Sequence, residues 1–152
     1  MPYLDVLFAF LFFLCSIAMS YTDIKERRLP NAWTAAFFGL AFCRLLLRSQ
    51  AMARIVQTLF LTLCVTLLLT FFSIYGEKRN KKLLGMGDVK LTASLTMWFP
   101  GQIIELFIFA CLSAFLFMLF PRLKKQKAHR VVPFAPFLLA SGLLLEVKRL
   151  FK

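Results

Sequence analysis

Six apolar runs alternate with short polar breaks along the chain, and the breaks hold most of the charge. The first run, Pro2–Tyr21, is interrupted only by Asp5. A polar turn, Thr22–Asn31, follows; Pro30 stops a helix there and Asn31 is placed to cap the next one. The second run, Ala32–Leu47, gives way to the polar break Arg48–Arg54, and the third, Ile55–Tyr75, to the basic segment Gly76–Leu84. Gly85-Met86-Gly87-Asp88 opens a short fourth run, Val89–Phe99, which ends at Pro100-Gly101. Gln102–Phe120 is the fifth run, Pro121–Arg130 is basic again, and Val131–Val147 is the sixth, with Pro133 and Pro136 near its start. A helix of about 20 mostly apolar residues crosses a bilayer, and six would use about 120 of the chain. The pattern predicts an all-α fold: one membrane-embedded domain over residues 1–152, a polytopic bundle of about six transmembrane helices with a short fourth helix. That fourth run is too short to cross a hydrocarbon layer of roughly 30 Å by itself. Either Gly85–Asp88 already lies at membrane depth or the helix is re-entrant.

Composition narrows the class. Hydrophobic residues make up 61% of the 152, against roughly 45–50% in a soluble domain, which excludes a soluble enzyme, a disordered chain and a second sizeable extramembrane domain. Nineteen Lys and Arg stand against seven Asp and Glu. In a soluble protein such an excess points to nucleic acid; here the cations lie between apolar runs, so the expected partner is a bilayer with anionic lipids and no nucleic acid. The first run has no cation before Lys25 and no Ala-x-Ala exit, so it reads as a retained helix and not as a cleaved signal. With six crossings, 13 cations border one side and 6 the other. The positive-inside rule then puts the richer side in the cytoplasm of a multi-pass cell-membrane protein, with both termini outside. Asp23 and Asp88 fall at the cytoplasmic edge. Cys15, Cys43, Cys64 and Cys111 lie singly within apolar runs, with no CxxC and no zinc-like spacing. They read as small buried hydrophobes, and neither metal nor cofactor is expected.

Asp23 and Asp88 are the two acids beside these loops without an obvious helical partner. Ionisable groups at membrane depth mark functional sites by default. Two carboxylates brought face to face cannot both ionise cheaply, so the pair shares a proton. The neutral acid then polarises a carbonyl while the carboxylate takes a proton from water, the chemistry of aspartic proteases. Plainer readings stand beside this one: Asp88 as the N-cap of the fourth helix, and Asp23 as a solvated residue in a charged turn. Gly85 and Gly87, lacking side chains, would let another backbone approach Asp88 closely.

Asp23 followed after five residues by Leu29-Pro30-Asn31 resembles the first aspartate motif of type IV prepilin peptidases. Gly85-Met86-Gly87-Asp88, continued by Val89-Lys90-Leu91, resembles their second, the GxGD motif. Pro133-Phe134-Ala135-Pro136-Phe137 is similar to a Pro-Phe-x-Pro segment near the end of the same proteins, and the three occur in family order. The resemblance covers essentially the whole chain. It implies Asp23 and Asp88 as catalytic aspartates, with Gly85 and Gly87 as the glycines of the second motif. It also implies a substrate: prepilins or pilin-like precursors, whose short basic leader is cut off at the cytoplasmic membrane face. Larger bacterial members carry a cytoplasmic domain between the first two helices, often with paired CxxC motifs, associated with N-methylation. Only about ten residues and no CxxC stand there in this chain, which implies a minimal form without methyltransferase activity.

Other residues take smaller roles. Lys90 is a site-shaping candidate whose ammonium reaches the interface. Pro133 and Pro136 shape the entry of the last helix. Glu26 and Glu77 are the acids placed to meet a basic leader. His129 reads as a solvated spectator, and Glu105 and Glu146 as interface residues near the external ends. Two rival readings remain: a presenilin-like or signal-peptide-peptidase-like GxGD protease, and a non-catalytic assembly or transport subunit with the acids as a proton relay. The charged turn around Asp23 and the Pro-Phe-Ala-Pro order argue against the first. The precursor cleaved and the oligomeric state are left open.

Overall fold

A computed structural model of the chain describes residues 2–26, 29–48, 51–78, 85–123 and 134–150. Among the described residues all regular structure is α-helical. The helices are α1 (Pro2–Glu26), α2 (Asn31–Arg48), α3 (Met52–Lys78), α4 (Met86–Trp98), α5 (Ile103–Leu123) and α6 (Ala135–Leu150). Each apolar run carries one helix, but several helices outlast their runs. The expected turn over Thr22–Asn31 is helical as far as Glu26. Thr22 is accommodated in the helix by returning its hydroxyl to the carbonyls of Ala18 (3.1 Å) and Met19 (3.0 Å), and Lys and Glu are good helix formers. The expected cap at Asn31 is not made either. The Pro30 carbonyl accepts the Thr34 N–H at 3.2 Å, which puts Pro30 at the cap and Asn31 inside α2.

The helices fall into two compact units, the first comprising residues 1–27 and 104–152, the second residues 28–103. In the first, α1 packs against α6. Arg149 near the end of α6 donates to Asp5 near the start of α1 at 3.1 Å and lies 3.6 Å from Glu146; Lys148 pairs with Glu105 at the start of α5. Phe117 and Phe137 meet at 5.5 Å between ring centres. These contacts run α6 antiparallel to both α1 and α5. They also show Glu105 and Glu146 as ion-pair partners of the α6 cations. The buried positions of α1 are Phe8, Phe12, Ser16, Met19 and Asp23. Spacings of four, four, three and four residues keep all five on one helical face.

In the second unit α4 packs against both α2 and α3. Lys90 meets Asn31 at one end of the α2–α4 seam. Toward the other, the Trp98 ring stacks on Phe37 at 5.8 Å and lies under the Arg44 guanidinium at 4.2 Å. The two helices therefore run parallel. Thr34, Phe37, Ala41 and Arg44 form the buried stripe of α2. From Val89 to Phe99 every residue except Lys90 is buried. Burial of Thr92, Ser94 and Thr96 on such a helix is cheap because each hydroxyl returns to the carbonyl four residues back, at 2.8, 3.2 and 2.8 Å. The same device repeats along one face of α3, where Thr58, Thr62, Thr66 and Thr70 bond to Arg54, Thr58, Thr62 and Thr66 at 2.8, 2.8, 2.6 and 2.7 Å.

Outward positions carry the large apolar side chains, such as Phe10, Phe13, Phe60, Leu67, Phe71 and Phe115. Cys43, Cys64 and Cys111 are exposed among them and Cys15 is half-buried, which corrects the expectation of buried cysteines; the outward faces of these helices are as apolar as a core. Tyr3–Glu26 and Met52–Gly76 are long and apolar enough to cross a membrane. Among the described residues these two helices meet that length, and Ile103–Phe117 is a shorter apolar stretch, so a six-crossing bundle is not established by helix length.

Trp98 is the side chain that joins the α2 and α4 stripes. Trp98→Ala is expected to cost about 3 kcal/mol through the cavity it opens, read as a lowered unfolding midpoint in detergent. An unchanged midpoint would show that this seam does not hold α4.

Candidate functional site

Asp23 is the last member of the buried α1 stripe. Its helix continues for three more residues, so the carboxylate is presented from a regular helix and not from a solvated turn. The residue is 7% exposed, and its Oδ2 is buried with no hydrogen-bond partner among the described residues. A buried carboxylate oxygen normally accepts at least one hydrogen bond, so this atom is an exception that marks Asp23 as a candidate site residue. The 4-4-3-4 spacing from Phe8 to Asp23 was the sequence signal for this placement. The polar cluster Thr22–Arg28 masked it by resembling a loop.

Asp88 is the third residue of α4, not its N-cap. Gly85 occupies the cap position in an extended conformation (φ −76°, ψ 143°) and makes no side-chain cap. The Gly85 carbonyl accepts the N–H groups of Asp88 (3.0 Å) and Val89 (3.2 Å). A carboxylate in the first turn of a helix faces the positive end of the dipole. Asp88 is half-buried.

The two motif glycines differ in what they accommodate. A Cβ on Gly85 would lie 3.4 Å from Asp88 Oδ2, an ordinary contact, whereas a Cβ on Gly87 would lie 3.2 Å from both Cβ and Cδ1 of Leu29. The missing side chain at position 87 thus admits Leu29, a residue of the first motif, against the second. Beside this contact the Lys90 ammonium donates to Asn31 Oδ1 at 2.9 Å. Leu29 and Asn31 contact Gly87 and Lys90 within one compact unit. Lys90 is turned onto α2, as expected when residues two apart on a helix do not face each other.

The remaining candidates are placed as follows. Pro136 is the second residue of α6, where a missing N–H costs nothing. Because α6 is antiparallel to α1, Pro136 lies toward the end of α1 that carries Asp23. Glu26 ends α1 and is exposed. Pro133 and His129 lie outside the described residues, as does the Glu77 side chain. Among the described residues no three His, Cys, Asp or Glu side chains gather in one place.

A model of the Type IV leader peptidase family matches residues 10–121, a span that contains Asp23, Leu29–Asn31 and Gly85–Asp88 and stops short of Pro136. Comparisons with curated proteins and with solved structures gave no match.

The glycine geometry makes a differential prediction. Gly87→Ala is expected to push Leu29 away by a few tenths of an ångström and, if Asp88 is the catalytic acid that the family resemblance implies, to lower activity about tenfold or more. Gly85→Ala should stay within about threefold of wild type, because helix capping shifts by no more than about 1 kcal/mol. Parallel cleavage rates for the two variants check this, and a milder effect at Gly87 than at Gly85 would contradict it.

Proposed function

The chain belongs to the type IV leader peptidase family, and we propose that it is a membrane aspartic endopeptidase that removes the leader from type IV prepilins or pilin-like precursors. Membership makes it a leader peptidase-like protease, and with the two long apolar helices it points to a membrane protein. In the proposed mechanism Asp23 and Asp88 act on one water. The ionised carboxylate takes a proton from that water as its oxygen bonds to the scissile carbonyl carbon, and the neutral acid gives its proton to the carbonyl oxygen. The carboxyl now holding the water-derived proton gives it to the leaving nitrogen as the C–N bond breaks, while the other carboxylate takes a proton from a hydroxyl of the tetrahedral intermediate as the C=O re-forms, so the dyad again holds one proton. No metal, cofactor or nucleophilic side chain enters these steps.

The observation that carries this reading is Asp23: a carboxylate inside the matched span, on a protein-facing stripe, with one oxygen buried and unpartnered among the described residues. Chain spacing supports the pairing with Asp88. Asp23 stands six positions before Leu29, and Leu29 packs on Gly87, the neighbour of Asp88. The finer proposal is a single domain of six crossings in the cell membrane, termini outside, with the dyad at the cytoplasmic face. It is supported by the division of cations between the loops. The parallel α2–α4 pair and the antiparallel α1–α6 pair also follow the alternation that six crossings require. Glu26 and Glu77 are proposed to meet the basic leader, and methyltransferase activity is proposed to be absent.

Asp23→Asn and Asp88→Asn are each expected to abolish leader cleavage, by at least about a thousandfold, while the protein still inserts and expresses. Cleavage should persist in EDTA. Wild-type rates in either variant would defeat the dyad.

A further inference from the structure

Asn31 does not cap α2, and Lys90, exposed as expected of a cation that reaches the interface, is bonded to it. Asn31 is exposed in the first turn of α2, its cap position taken by Pro30, and its side-chain oxygen accepts the Lys90 ammonium at 2.9 Å. Lys90 is the only exposed residue from Val89 to Phe99. The other side chains of that stretch are buried, and Lys90 ties α4 to α2 by a hydrogen bond at the surface.

The tie acts one turn into α4, beside the GxGD segment. Gly85 supplies no side-chain cap, and its carbonyl accepts the N–H groups of Asp88 and Val89. The firm packing of the seam, Phe37 and Arg44 on Trp98, lies about three turns further along. Near the motif itself, Leu29 lies against the bare Cα of Gly87 and Asn31, in the first turn of α2, against Lys90. The first sets the distance of closest approach and the second favours one register of α4 against α2.

We infer that Asn31 and Lys90 form a positioning pair that fixes the first turn of α4, and with it the Asp88 carboxylate, against the segment that follows Asp23. The inference rests on the dyad reading for its consequence in catalysis, though not for the contact itself. Neither residue touches the reacting atoms. Their loss should let the first turn of α4 fray and leave Asp88 in its productive orientation for a smaller fraction of the time.

The test uses the full-length protein in nanodiscs and a pilin-like precursor with a basic leader. Asn31→Ala and Lys90→Ala should each lower kcat about tenfold with KM changed less than about twofold, and the double variant should be no worse than either single one. The exchanged pair, Asn31→Lys with Lys90→Asn, should recover most of the loss. Independently of catalysis, amide exchange at Asp88 and Val89 should quicken about tenfold in both single variants and return toward wild type in the exchanged pair. Losses in kcat that multiply in the double variant, or unchanged exchange at Asp88 and Val89, would overturn the positioning pair. Asp88→Asn measured alongside separates the two claims. If that variant still cleaves, the dyad reading fails, and the exchange data decide the pair on their own.

Discussion

A helix with an apolar outer face can carry polar groups only where the chain itself satisfies them, and this constraint organises both compact units. Thr58, Thr62, Thr66 and Thr70 place four hydroxyls on one side of α3, and Thr92, Ser94 and Thr96 place three on buried α4, each returned to a carbonyl of its own helix. Arg44, buried on α2, lies over the face of Trp98. Arg149 is shared between Asp5 and Glu146. Polar groups in apolar surroundings are expensive when left alone, so the exceptions carry information. Asp23 Oδ2 is one, and the Ser16 hydroxyl two turns earlier on the same stripe is another, each without a hydrogen-bond partner among the described residues.

The shortness of α4 has a counterpart in its packing. A 13-residue helix makes only about 20 Å of length, yet nearly all of it is buried, clasped by α2 and α3. It begins at the GxGD segment, so Asp88 is offered from a first turn and not from mid-helix. Gly87 admits Leu29 there, and the Lys90–Asn31 bond lies one turn further on. Two stretches far apart in sequence, 29–31 and 85–90, thereby become neighbours.

Much of this was legible beforehand. The number and order of helices followed from the apolar runs, because a period of 3.6 and a length near 20 leave little else for such residues to do. The boundaries were less legible. Thr22–Glu26 reads as a turn by composition, and only the stripe Phe8–Phe12–Ser16–Met19–Asp23 reveals that the helix continues and carries Asp23 on its buried side. Asp88 as an N-cap was a sound local rule, displaced because Gly85 takes the cap and the helix starts earlier. Asn31 was misread for the same kind of reason: a cap propensity is local, whereas its bond to Lys90 spans 59 positions. The exposed cysteines show the remaining gap, since periodicity separates the two faces of a helix but does not say which face meets protein when both are apolar.

The account stands on two carboxylates serving one water, and a hydroxyl-bearing mimic of the tetrahedral intermediate probes that directly. A statine-type analogue of the leader junction places its hydroxyl where the attacking water would be. Its equilibrium affinity should fall at least about a hundredfold in Asp23→Asn and equally in Asp88→Asn, because transition-state analogues draw their extra affinity from the groups that do the chemistry. Affinity unchanged in either variant, or no binding to the wild-type protein, would contradict a shared dyad.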